Sequence, residues 1–345
     1  MKKLLISLAL LLGIVTGFMN AANAEAIEVL PTMKTESSAP NRIWVGTFQI
    51  VWNEAIDNVV HKPIKFIGYD SIIAKQLNKK EFKKSNISED SYYTKTGIVS
   101  PDLKAEIEKG IKTKFNETSD ILNMFDFSYQ PDKIFIYAML KKDFKFLEAF
   151  DKLSDGVFAK NNTPVSYFGI NEDSKQKLHK NVNVLFYNSR EDFAVKLFTK
   201  GKDEVILYRT NEDTTFDKYF ENVNKKAKRY EGNKKFEKDD KLTVPDIKLY
   251  QEASFKDVEG HQIKGTNFKI DKTIETVDFR MNNEGVKLKS EAAIMMKCMS
   301  LPIERGRNFM FTDNFVLFLI EKGQKTPYYA MRVNDVETLN KTGRE

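Results

Sequence analysis

The chain carries a single cysteine, Cys298, in 345 residues. One thiol closes no internal disulfide, so a disulfide-stapled scaffold is excluded and stability must come from a buried core. Histidine is almost as scarce. His61, His179 and His261 lie far apart in polar contexts, and there is no H-E-x-x-H and no C-x-x-C, so the spacing offers no metal site. Nine Pro and sixteen Gly exclude a collagenous or low-complexity chain. No G-x-S-x-G elbow and no phosphate-cradling glycine loop occurs, and no cofactor is implied. Beyond residue 24 no apolar run approaches the length of a membrane helix. Excess charge of one sign is also lacking. The formal net charge is +6 and falls by two, to +4, if Lys2 and Lys3 are removed with a leader. That is too weak and too dispersed for a nucleic-acid binder.

What is present is a globular balance of 41% hydrophobic, 30% charged and 12% aromatic residues. At this length the chain can bury a large core, as one large domain or two ordinary ones. Twenty-six Phe and thirteen Tyr point to sheet, where aromatics fit a pleated, half-buried surface. The first 24 residues read as a secretory signal, with Lys2-Lys3 as the basic region, Leu4 to Phe18 as the apolar region and Ala22-Asn23-Ala24 as the cleavage site. The competing reading is an uncleaved anchor, for which the apolar run is short. The expected mature protein is exported, to the medium or a periplasm, is a soluble monomer, and touches no membrane.

Residues 25–41 are polar and read as a flexible tail, and 42–340 as one domain. Trp44, Val45, Phe48, Val51, Trp52, Ala55, Ile56 and Val59 recur at helical spacing and predict an amphipathic helix. Ile64 to Ile67 predicts a short strand and Ser71 to Leu77 a helix, while 78–100 is ambiguous. Pro101 to Leu122 predicts a surface helix. Ile134 to Leu140 is a continuous apolar run that predicts a central strand covered on both faces. Strands follow at Val165 to Ile170, Val182 to Tyr187, Phe193 to Leu197, Val205 to Tyr208, Leu242 to Tyr250 and Thr276 to Met281. A helical patch lies around Phe216, Tyr219, Phe220 and Val223. Phe315 to Ile320 and Tyr328 to Val333 pair across Gly323. Helices first and strands later imply an α+β fold, not alternating βαβ.

Two constellations compete for function. Ser174-Lys-Gln-Lys177, Thr312-Asp313-Asn314 and Lys341-Thr342-Gly343 imitate the S-x-x-K, S-D-N and K-T-G order of penicillin-binding acyl enzymes. Their surroundings are wrong, since 171–180 is almost wholly polar and the K-T-G lies at a polar terminus. Lys225, Lys226, Lys228, Arg229, Lys234, Lys235, Lys238 and Lys241 form a basic cluster, but Glu231, Glu237, Asp239 and Asp240 interrupt it. A solvated face explains it better than a polyanion site.

The most informative stretch is Thr276 to Val333. A strand, Val277 to Met281, is followed by Asn282-Asn-Glu-Gly285, a long mixed segment, then FMFTDNFVLFLI (309–320) and TPYYAMRV (326–333). Here the sequence resembles the serpin family. Leu242-Thr-Val-Pro245-Asp-Ile247, IFIYAMLKKDFKFLEAF (134–150), Val165 to Ile170 and Val182 to Arg209 extend the likeness upstream in order, over about two thirds of the chain. Before Pro101 it is weak, and the family's N-x-x-x-S-P-x-S motif is absent.

The resemblance implies a large mixed central sheet, flanking helices and an exposed reactive loop at about 286–308. It also implies a metastable, non-enzymatic inhibitor that traps a serine protease when its cleaved loop enters the main sheet. The family's spacing, fourteen residues on from Gly285, implies a reactive bond at Met299-Ser300. An unbranched apolar Met there suits a chymotrypsin-, elastase- or subtilisin-type partner; Lys297, Arg305 and Arg307 are nearby alternatives for a trypsin-like one. Cys298 would precede the bond. The implied hinge is Glu284, Gly285, Val286, Leu288, Ser290, Ala292 and Ala293.

The residues themselves test this. From Val286, alternate positions are Val286, Leu288, Ser290, Ala292, Ile294 and Met296, all uncharged. Lys287, Lys289, Glu291 and Lys297 fall on the other parity. As a strand, the segment has one uncharged face. Against insertion stand the bulk of Val286 and Leu288 and the lysines at 287 and 289, where inhibitory members favour small residues. A permanently paired strand, on a non-inhibitory binding or structural protein, is the alternative.

Overall fold

The computed structural model describes residues 26–159, 164–287 and 306–344. The chain opens with β1 (Ile27–Val29), β2 (Asn41–Val45) and α1 (Thr47–Ala55), which runs on as a π-helical segment, Ile56–Val60. Next come α2 (Ile72–Leu77), β3 (Tyr92–Val99), α3 (Pro101–Phe115), β4 (Gln130–Leu140) and β5 (Asp143–Lys145). Four short strands follow: β6 (Asp151–Lys152), β7 (Gly156–Val157), β8 (Pro164–Val165) and β9 (Tyr167–Ile170). Then come β10 (Val182–Ser189), β11 (Asp192–Phe198), β12 (Asp203–Arg209), α4 (Phe216–Arg229), β13 (Lys241–Pro245), β14 (Ile247–Ala253) and β15 (Glu275–Met281). The last elements are β16 (Gly285–Lys287), β17 (Asn308–Met310), β18 (Phe315–Glu321), β19 (Tyr329–Val333) and α5 (Val336–Lys341).

The fold is α+β, with a seven-stranded sheet in the order β1-β2-β19-β18-β12-β11-β10. It is mixed, because β1 lies parallel to β2 while its other pairs are antiparallel. Strands β2, β18 and β19 are buried along their whole length. Alternate side chains explain why a continuous apolar run is needed there. Phe318 points to one face and meets Phe216 and Phe220 of α4, at ring separations of 6.4 and 5.2 Å. Tyr329 points to the other and stacks on Phe279 of β15 at 4.9 Å. A second sheet runs β17-β13-β9-β6 and a third β14-β15-β16-β5, with β3-β4 and β7-β8 as two-stranded ribbons.

Several expectations shift. Residues 26–41, read as a tail, supply β1, whose Ile27 and Val29 are buried beside β2. Trp44 and Val45 are strand, not helix; they share the phase of the helix that follows, which hid the break at Gly46. Ile64 to Ile67 is reduced to a bridge between Phe66 and Ile263. The ambiguous 78–100 segment contains β3, which the polar positions Thr94, Lys95 and Thr96 disguised. The helix from Pro101 ends at Phe115, where Asn116 adopts a left-handed φ of 54°. It is not merely superficial, because Leu103, Ile107 and Ile111 seat on Val99 and Tyr137 of the β3-β4 ribbon. The run Leu242 to Tyr250 divides at Asp246 between two sheets. Most consequential, Ile134 to Leu140 is no central covered strand. It lies in β4, whose ladder is with β3, and most of its side chains are half-buried or exposed. Among the described residues, no helix is long and apolar enough to cross a membrane.

Candidate functional site: the hinge and the cleft beneath it

The hinge begins as a turn. At the end of β15 the Asn282 side-chain oxygen accepts from the Glu284 and Gly285 amides at 2.9 and 3.4 Å, the local bonding that favours Asn in turns. The turn is held from outside as well. Phe146 N–H donates to Glu284 O at 2.9 Å, and Phe150 N–H to Asn283 O at 2.8 Å. The chain then reverses into β16, which lies antiparallel between β15 and β5.

Gly285 is there because nothing larger fits. A Cβ at this position would sit 2.2 Å from the Phe144 carbonyl oxygen and 2.7 Å from Lys145 Cα, both backbone atoms that cannot swing away. Val286 is fully buried, registered between Met281 and Phe144. Glu284 stays exposed in the turn. Leu288, Ser290, Ala292, Ala293, Lys297, Cys298 and the Met299-Ser300 bond lie outside the described residues.

Directly below β16 the sheet divides. A cleft of about 700 Å³ separates β4 from β15. Its walls are strand edges: among the described residues, β4 has its ladder with β3, and Glu275 to Phe279 pair with β14 on the far side. Its floor is α1, including Phe48, Val51, Trp52 and Ala55. β16 thus belongs not to the seven-stranded sheet but to the smaller one that faces it.

Charged groups fix both ends of this arrangement. At the break between β4 and β5, buried Lys142 reaches Asp203 at 2.9 Å and Glu321 at 2.5 Å and lies over the Tyr328 ring. Burial works to raise the Glu321 carboxyl, but hydrogen bonds from Lys142 and from Ser88 overcome it and hold it below the usual range. On the return side, Arg307 grips Asp240: its Nη2 lies 2.6 Å from one carboxylate oxygen, and its Nε lies 3.1 and 3.2 Å from the two oxygens. Asp240 is 3% exposed. Gly306, at φ 86°, makes the close approach to Asp239 that this grip requires. Arg307 is therefore an anchor, which corrects its reading as an alternative bait residue.

Lys142 and Glu275 were not foreseen as site residues, and Arg307 was not foreseen as an anchor. Each is one charge among many, and its partner is remote in sequence; Asp240 is 67 residues from Arg307. The rival constellations do not assemble. Ser174 Oγ exchanges hydrogen bonds with Asn171, while Lys177 pairs with Glu148 at 2.6 Å, so they form no nucleophile–base pair. Asp313 pairs with Arg209 and Lys341 with Glu337. In the basic cluster, Lys226 is held by Asp192 and Tyr208, and Lys241 by Glu172.

The elements around the hinge follow the order implied by the serpin resemblance: strand, turn, buried glycine, a long segment, a strand in another sheet, and a closing antiparallel pair. Solved structures similar to the chain are serpins. Serpin48, a highly specific serpin of the insect Tenebrio molitor, is 14% identical; the match covers 84% of this chain and 95% of that one at a TM-score of 0.45. Human glycosylated kallistatin is 11% identical, with 84% and 96% covered and a TM-score of 0.45. Human thyroxine-binding globulin, complexed with its hormone, is 9% identical, with 73% and 77% covered and a TM-score of 0.44. No protein-family model and no curated protein matches the sequence.

Proposed function

We propose that the protein is an exported inhibitor that traps a serine protease by inserting its cleaved loop into the cleft between β4 and β15. One observation carries this reading. Gly285 and Val286 are already seated at the head of a slot whose two walls are strand edges with no second partner among the described residues.

If the loop entered in the register of Val286, Leu288 would fall between Phe279 and Lys142, Ser290 between Val277 and Leu140, and Ala292 between Glu275 and Ala138. The inward side chains would then be uncharged, and Lys289 and Glu291 would fall on the outer face. Insertion would satisfy two rows of backbone donors and acceptors at once, which is the free-energy source such trapping needs. In the reaction, the protease serine Oγ attacks the Met299 carbonyl carbon. The bond to Ser300 nitrogen breaks, and that nitrogen leaves as an amine carrying the proton supplied by the protease histidine. An ester links Met299 to the serine. Insertion must then outrun hydrolysis of that ester.

The test is incubation with chymotrypsin, elastase, subtilisin and trypsin, followed by denaturing electrophoresis. A covalent band at the summed mass, sensitive to hydroxylamine, supports trapping. Clean cleavage at Met299 without that band would favour the second reading, a non-inhibitory binding protein on the same fold, which the bulk of Val286 in the slot supports.

A further inference from the structure

We propose that the cleft between α1, β4 and β15 binds a neutral, largely apolar small molecule that presents one oxygen acceptor to the Glu275 carboxyl. The cavity has the right size, since about 700 Å³ lies within the range of small-molecule sites. Its floor is an uncovered apolar stripe: Val51, Ala55 and Val59 recur every four residues on one face of α1 and its π-helical continuation, and each remains partly exposed. A π-helical turn in such a wall is a feature common at ligand sites. Ala138, Leu140 and Val277 supply apolar sides.

Charged side chains such as Lys133, Asp271 and Asp278 also line the cleft, but among the described residues Glu275 is the lining carboxyl that is buried. It is 4% exposed and lines the cleft from β15. One carboxyl oxygen accepts from the Phe48 N–H at 3.1 Å, while the other, Oε2, has no hydrogen-bond partner among the described residues. Among the described residues no lysine or arginine forms an ion pair with it. Burial pushes the carboxyl up to about 8, against the lowering effect of the Phe48 N–H. At neutral pH it therefore carries a proton, and its O–H is a buried donor with nothing to donate to. Such a group is costly while unmet and rewards an acceptor that reaches it. A ketone or ether oxygen on an apolar body meets that need. Beside Glu275 an anion finds no ion-pairing cation among the described residues, and an amine there would require this carboxyl to ionise first.

Binding itself does not depend on protease trapping. Its consequence does: a molecule held here occupies the slot that residues 288–296 would enter, so saturation turns an inhibitor into a substrate.

The probe is prodan, a naphthyl ketone, titrated into the intact protein. Trp52 lies in the cleft wall, so energy transfer from tryptophan reports occupancy. Saturable one-site binding in the micromolar range is expected. Glu275→Leu should weaken the ketone about tenfold, the worth of one hydrogen bond, and leave the analogue with a propyl chain in place of the propionyl group unchanged. Glu275→Gln, which keeps a donor, should hold ketone affinity within about threefold. Ala138→Phe, which fills the cleft, should abolish binding of both. The inference is overturned by unsaturable binding to the wild type. Equal losses for ketone and hydrocarbon in Glu275→Leu, undiminished binding in Ala138→Phe, or tighter binding of a primary-amine analogue than of the ketone would overturn it as well. Protease trapping is scored separately on the ligand-free protein, so the two ideas fail independently.

Discussion

One missing methyl group sets the position of the hinge. Gly285 passes so close to β5 that a side chain would strike the Phe144 carbonyl and the Lys145 backbone. Gly285→Val should therefore lift β16 out of the slot or push β5 aside, at a cost of about 1–3 kcal/mol. Amide exchange should then accelerate at Phe146, whose N–H is satisfied by Glu284 O. Unchanged protection there would show that the hinge tolerates a side chain. At the other end of the loop, Asp240 depends on Arg307. Arg307→Ala leaves a buried carboxylate unpaired and should cost roughly 3 kcal/mol, read as a lower urea midpoint, whereas exposed Lys325→Ala should cost little. The turn ending at Gly285 was legible because the Asn-Glu-Gly signal is local. The grip on Arg307 was not, because nothing near Arg307 in sequence announces Asp240.

At the scale of elements, legibility followed how completely a strand is covered. The run from Phe315 to Ile320 is apolar at every position because both faces are buried, so it reads as a strand without help. In β3 and β4 the signal misleads. Thr94, Lys95 and Thr96 blur one strand, and the apolar 134–140 run reads as central although its outer edge borders the cleft. An apolar strand left beside a cavity looks in sequence like one inside a sheet. The same edge explains Glu275, a carboxyl enclosed where β15 crosses the start of α1. Its folded-state value of about 8 stands well above the ordinary 4.5. Between those values the folded chain holds a proton that the unfolded chain has lost. Stability from this group is full below about pH 4.5 and declines until about pH 8, beyond which it is gone. Urea midpoints measured at pH 5 and pH 9 should differ in the wild type, and Glu275→Gln should remove most of that difference. An identical slope in the variant would show that the carboxyl is not enclosed as described.

Across the whole molecule, two kinds of sheet play different parts. The seven-stranded sheet is packed on both faces by α4 and by β15 and has no room to change. The smaller sheet is split, with one side of the cleft carried by the β3-β4 ribbon under α3 and the other by β14-β15. A fold built this way can gain a strand without disturbing its main core, and the gain is measurable. Filling the slot from 288 to 296 would add about nine residues bonded on two sides. At about 1 kcal/mol net per hydrogen bond, that is on the order of 10 kcal/mol. One kcal/mol moves the melting temperature of a chain this size by about 2 °C. Cleavage at Met299-Ser300 should therefore raise the melting temperature by more than about 10 °C, with both fragments still associated. On insertion in the register of Val286, Ser290→Glu would set a charge against Val277 and Leu140, and it should abolish the rise while leaving cleavage intact. A nicked protein that melts where the intact one does would mean that the loop never enters the cleft, and trapping would lose its source of energy.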